Sequence, residues 1–133
     1  MGYPGSVTSS LQEPKADPLL PLVSEVVSEI LATGDVVAPL DVLVRLEVID
    51  PDDVETWRRG GLPYLERGIT SGLSRVARFL RLIGEHARAL GLKPVPGKYL
   101  RRGKGPNRRL RFSKRGDQES EQAYTTHFVR EKP

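Results

Sequence analysis

From Asp17 onward the chain alternates amphipathic stretches with glycine and proline punctuation, and the apolar spacing within each stretch is helical. Leu19, Leu20, Val23, Val26, Val27, Ile30 and Leu31 recur at steps of three and four, which predicts one helix with a buried face. Asp17 can cap it with Pro18 in its first position, and Gly34 ends it. Pro39 opens a shorter helix that turns Leu40, Leu43, Val44 and Leu46 inward and closes near Val48. Asp50 and Pro51 repeat the cap-and-proline opening, and Asp52, Asp53 and Glu55 follow where the positive end of a helix dipole favours carboxylates. This third helix carries Val54 and Trp57 on one side and stops at "RRGG", and Pro63 starts a further turn through "YLER". The clearest stretch, Ser71 to Leu90, sets Leu73, Val76, Ala77, Leu80, Ile83, Ala87 and Leu90 on one face. Arg75, Arg78, Arg81, Glu85 and Arg88 fall on the other, and Gly91 and Pro94 stop the helix.

Beyond Pro94 the period changes. "KYLRR" and "RLRFS" alternate as strands do, and the turn-forming cluster "GKGPN" separates them. A basic β-hairpin over about residues 98–115 is expected, with Lys104 at its tip. The segment "SEQAYTTHFV" is expected to pack Tyr124, Phe128 and Val129 back onto the body as a short helix or extended strand. Residues 1–16, rich in Gly, Pro and Ser without apolar periodicity, read as a disordered tail. The expected architecture is mainly α: residues 17–130 form a single helical domain, a bundle with a helix-turn-helix-like pair, followed by the basic β-hairpin. A length of 133 residues suits one core.

Composition narrows the class. No apolar run approaches the roughly 18 residues of a spanning helix, and no basic-then-apolar leader opens the chain. Without cysteine, disulfides and thiolate metal sites are excluded. The expectation is a cytoplasmic protein that uses no membrane.

Charge changes the picture most. Residues 1–57 hold two basic and eleven acidic side chains, whereas residues 58–115 hold seventeen basic and two acidic ones. The stretch "KYLRRGKGPNRRLRFSKR" alone carries nine Lys or Arg in eighteen residues and no acid. Cations packed this closely repel one another, and without a polyanionic partner a protein ordinarily intersperses Asp or Glu. Phosphates answer that repulsion, because each neutralised phosphate releases condensed counterions. Arginine outnumbers lysine fifteen to six, and its planar fork suits phosphate oxygens. The candidate phosphate contacts are therefore Lys98, Arg101, Arg102, Lys104, Arg108, Arg109, Arg111 and Lys114, assisted by Arg58, Arg59, Arg75 and Arg78. Tyr99 and Phe112 are expected to pin the hairpin to the helices rather than stack on bases, and Trp57 and Tyr64 are expected as core anchors.

Two resemblances bear on this reading. The string "VETWRRGGLP", Val54 to Pro63, resembles the second helix and exit turn of Cro and repressor-type DNA-binding domains, a likeness that covers roughly residues 40–80 and implies a helix-turn-helix. In it Glu47 stands where a turn glycine is usual. The recognition helix implied by the likeness, Asp52 to Arg59, carries three acids at the end that normally enters the major groove. Arg58 and Arg59 are thus expected on phosphates rather than bases. The longer "WRRGGLPYLERGI" with "LRFSKRGD" is also similar to a small family of bacterial proteins from which no activity carries over.

The expected function is nucleic-acid binding, duplex DNA ahead of RNA, without a cofactor. Two other readings stand beside it. The acidic and basic halves could serve a protein partner or a second copy in head-to-tail assembly. Alternatively, Glu119 or Glu121 with His127 could serve a small nuclease or toxin-like enzyme, although no spacing compels it and no catalytic or metal-ligating residue is assigned. His86 is expected at the edge of its helix, away from chemistry.

Overall fold

The computed structural model describes residues 17–69, 72–103, 105 and 108–131. The expected tail at 1–16 and the expected hairpin tip at Lys104 lie outside the described residues. Five α-helices are described: α1 Leu20–Thr33, α2 Pro39–Arg45, α3 Pro51–Arg58, α4 Leu73–Ala89 and α5 Gln118–Thr125. A 3₁₀ turn, Leu65–Gly68, follows α3 at the expected "YLER".

Each helix start has a local cause. The Asp50 carboxylate accepts the Asp52 N–H at 2.8 Å and Pro51 occupies the first turn, so α3 opens as the sequence expects. α1 begins two residues later than the Asp17–Pro18 pair suggests. Asp17 accepts the Leu19 N–H at 2.9 Å and forms a turn before the helix, and Pro21 takes the place in the first turn. In α4 the buried face is Val76, Phe79, Leu82, Ile83, Gly84 and Ala87. Leu73 and Leu90, expected inward, are 43% and 49% exposed. Phe79 and Leu82 take up the core instead, so the burial stripe is turned around the helix relative to the expected one.

Residues 46–50 join α2 to α3, and Glu47 within them has φ +60, the left-handed region. It is the one non-glycine residue with positive φ among the described residues. Its side chain is exposed, so the strain of that conformation is local to the turn.

The sheet goes beyond what the sequence pattern predicts. β1 Val36–Val37, β2 Lys93–Val95 and β3 His127–Val129 form an antiparallel sheet in the order β1-β3-β2. Phe128 pairs with Val37 on one side and with Pro94 on the other. Pro94, read from sequence as a helix stop, thus lies in an edge strand, where a missing N–H is tolerated. Arg130 fixes the sheet to α1. Its guanidinium donates to the carbonyls of Leu31 and Gly34 at 2.7 and 2.8 Å and to the Asp35 carboxylate at 3.1 Å, a cation on the negative end of α1.

The core collects Val23 and Val27 of α1, Val42 and Leu43 of α2, Trp57 of α3, Val76, Phe79 and Ile83 of α4, and Phe112, Tyr124 and Phe128 from the C-terminal part. Full burial of one such side chain contributes about 1.5–3 kcal/mol. No described helix is long and apolar enough to cross a membrane.

Candidate nucleic-acid interface

The basic segment 98–115 reaches the helical body through its aromatic residues. Phe112 is fully buried, 4.6 Å from the Trp57 ring, 5.1 Å from Tyr99 and stacked on Tyr124 at 4.8 Å. Tyr99 lies 5.8 Å from Trp57. Trp57 is a core anchor, and its indole N–H donates to the Arg111 carbonyl at 2.7 Å. Among the described residues, strand-like pairing within the segment consists of one antiparallel bridge, Leu100 to Arg109, flanked by Arg101 N–H to Arg108 carbonyl at 2.9 Å and Leu110 N–H to Tyr99 carbonyl at 2.8 Å.

The backbone on the far side of Phe112 is held by two carboxylates from elsewhere in the chain. Glu121 of α5 accepts the Phe112 N–H at 2.9 Å, the Ser113 N–H at 2.7 Å and the Ser113 hydroxyl at 2.6 Å. Glu66 of the 3₁₀ turn accepts the Lys114 N–H at 3.0 Å and the Tyr124 hydroxyl at 2.7 Å. Burial, and then the bond to Glu66, push the Tyr124 phenol far above its ordinary range. In the return direction the turn donates, Leu65 N–H to Arg111 carbonyl at 3.1 Å and Glu66 N–H to Phe112 carbonyl at 2.9 Å. Both acids therefore serve the amides of the segment, not its guanidinium groups.

The described candidate cations of the segment and of α3 form two sets, with Arg111 apart from both. Lys98, Arg108, Arg109 and Lys114 are exposed, and no side-chain ion pair or hydrogen bond is described for them. A second set gathers at the C-terminal end of α3. Arg59 pairs with Glu55 at 2.7 Å and Arg102 with the same carboxylate at 3.5 Å. The Arg102 N–H donates to the Arg58 carbonyl at 2.6 Å, and the half-buried Arg58 guanidinium lies 5.1 Å over the Tyr99 ring. The Arg101 side chain lies against Gly60, where a Cβ would come within 2.7 Å of its Nε. Gly60 has φ +85, and that backbone conformation is what favours glycine in this exit turn. Arg111 belongs to neither set. It donates to the carbonyls of Ser113, at 2.7 Å, and Lys114, and lies 5.3 Å over the Tyr64 ring, bracing the turn that follows it.

The α4 candidates are placed separately. Arg78 grips Asp17 with two bonds of 2.7 and 2.5 Å, which hold the Asp17 carboxyl below its usual range. Arg75 lies 5.5 Å over Phe79. Among the described residues no hydrogen bond or ion pair joins either to the segment 98–115.

Tyr124 packs onto the body as the sequence suggests, but nothing in the sequence marks Glu66, Ser113 and Glu121 as the groups that hold the segment's backbone. The one available hint was that the acid-free segment has amides that need partners from elsewhere. Glu121 and His127, the hypothetical nuclease pair, are engaged apart: Glu121 as above, and His127 with its Nε2 3.4 Å from the Tyr99 hydroxyl. A groove of about 750 Å³ runs between α4 and α5, with Leu73, Ala77 and Leu80 on one wall and Ala123 and Tyr124 on the other. No family model, curated protein or solved structure matches the chain.

Proposed function

We propose that the protein binds nucleic acid through the phosphate backbone, duplex DNA ahead of RNA, with the segment 98–115 as its main contact. One observation carries this reading. Two of the carboxylates that reach the segment, Glu66 and Glu121, are occupied by its backbone amides and by Ser113 and Tyr124, while Glu55 and Asp117 pair with Arg102 and Arg115. Lys98, Arg108, Arg109 and Lys114 remain exposed on a base braced by buried aromatic rings, an arrangement that offers preformed cations to a polyanion. Arg59 and Arg102 add to it after exchanging Glu55 for phosphate, since an exposed pair of this kind is weak.

The helix pair α2 and α3 supports the preference for a duplex. The proposed likeness to Cro and repressor-type domains rests on "VETWRRGGLP"; Glu47 departs from it where those domains usually have glycine, and has the left-handed φ that glycine favours. Asp52, Asp53 and Glu55 oppose base reading by α3, so recognition is proposed as sequence-tolerant. The hairpin form of the segment, and its use as a wing, belong to this proposal. An electrophoretic comparison of duplex DNA, single-stranded DNA and RNA tests the reading. Retardation of duplex at low salt supports it, and no retardation of any of the three refutes it.

The protein-partner reading is favoured by a different observation. The α4/α5 groove presents Leu73, 43% exposed, beside Ala77 and Leu80 as an apolar wall for a partner.

A further inference from the structure

A cleft of about 370 Å³ lies between α2, α3 and the start of the basic segment. Leu40, Val44 and Val54 line its apolar side, and Arg58, Tyr99 and Arg102 line the other. The Nε of Arg58, one of the lining residues, is buried with no hydrogen-bond partner among the described residues. A buried guanidinium N–H without an acceptor is a rare and unfavourable state that an acceptor entering the cleft would relieve. Burial first, and then the nearby Arg102 guanidinium, disfavour the Arg58 charge, a second reason for an anion beside it.

The cleft also holds Asp41, Arg45 and Glu55. Glu55 is the nearest internal anion, but Arg59 binds it at 2.7 Å and Arg102 only at 3.5 Å. Arg102 is thus weakly held and available. Two arginines of different elements, an aromatic ring and an apolar wall in a cleft of this size fit a phosphate group that carries a ring-bearing substituent.

We infer that this cleft is a seat for one nucleotide phosphate, in which Arg58 and Arg102 clamp the phosphate oxygens and Tyr99, Leu40 and Val54 receive the nucleoside. The inference goes beyond the proposed backbone binding, which uses the exposed cations and needs no cleft. The phosphate can belong to a free nucleotide or to a strand, and the chemistry of the seat is the same.

The test follows the Arg58 Nε–H signal of the full chain by NMR during titration with adenosine monophosphate and, separately, inorganic phosphate, at ionic strength matched with chloride. A saturable shift is expected for the wild type and for Arg108→Gln/Arg109→Gln. In Arg102→Gln, an exposed change that leaves the fold intact, affinity is expected to fall about tenfold or more, the loss of one charge-assisted bond. Arg58→Gln is followed instead through the Tyr99 ring signals, with the same expectation. No saturable shift in the wild type, or an undiminished one in Arg102→Gln, overturns the seat.

Duplex DNA added as competitor separates the sources. If it displaces adenosine monophosphate, a strand phosphate enters the cleft. If the monophosphate binds while duplex neither binds nor competes, the seat stands for a free nucleotide and the backbone-binding reading fails. Duplex bound equally by wild type, Arg58→Gln and Arg102→Gln, without any monophosphate response, overturns the seat and leaves the backbone reading in place.

Discussion

The Arg111 carbonyl accepts the Trp57 indole N–H at 2.7 Å and the Leu65 N–H at 3.1 Å, so one backbone oxygen ties α3 and the following turn to the basic segment. "WRRGGLPYLE" and "LRFSKRGD" are therefore two sides of one contact. The tryptophan is committed to this contact and has no face left for a base.

The only tryptophan of the chain reports on that commitment. Its emission is expected to be blue-shifted, inaccessible to iodide and unchanged when duplex DNA is added. Quenching by DNA would instead place Trp57 at the interface. Trp57→Phe keeps the ring packing but leaves the Arg111 carbonyl with one donor fewer, and is expected to cost about 1–3 kcal/mol in denaturant unfolding.

Glu121 accepts three donors with two oxygens. Glu121→Gln turns one acceptor into an NH₂ group facing N–H and O–H donors. Unfolding free energy is expected to fall by about 1–3 kcal/mol, with amide exchange at Phe112 and Ser113 accelerated most. Unaltered exchange at those two amides would show that the carboxylate does not hold the segment.

The acid limb of stability is expected to include Asp17. Its folded-state pKa is lowered, chiefly by the hydrogen bond from Arg78, so its contribution is present above the unfolded value and lost as pH falls through the folded one. Melting curves of wild type and Asp17→Asn should differ at pH 6 and converge as pH falls through the lowered pKa of Asp17. A pH-independent difference would mean that the carboxylate's charge is not what Arg78 recognises.

Glu47 gives the opposite sign from an ordinary glycine substitution. At φ +60 a side chain carries a conformational cost that glycine avoids, so Glu47→Gly is expected to be neutral or to stabilise by up to about 1 kcal/mol. Glu47→Val is expected to destabilise, because a β-branched residue fits that region worst. Thermal unfolding of the pair checks both.

These particulars also show where sequence was legible. α3 could be read because Asp50, Pro51 and "RRGG" mark both ends within a few residues, and α4 because its period runs for 17 residues. The side of α4 that is buried could not be read to within one residue, since Phe79 and Leu82 compete with Leu73 and Ala77 and only the position of α1 and α2 decides between them. The sheet was obscured by strands of two and three residues, too short to show a period, one of them containing Pro94. The charge of the segment 98–115 was plain in the letters. Its division was not: Arg111 turns to the backbone two and three residues on and Arg102 to Glu55, while on α4 Arg78 turns to Asp17, far away in sequence.

The central claim is that Lys98, Arg108, Arg109 and Lys114 face outward for phosphates, and salt dependence tests it most directly. Duplex affinity should fall linearly on logarithmic axes between about 50 and 200 mM salt, with a slope of about −0.9 per phosphate contacted, and Arg108→Gln/Arg109→Gln should make that slope shallower by about two while keeping the wild-type melting temperature. A duplex affinity that ignores salt, or a double variant with the wild-type slope, would contradict it.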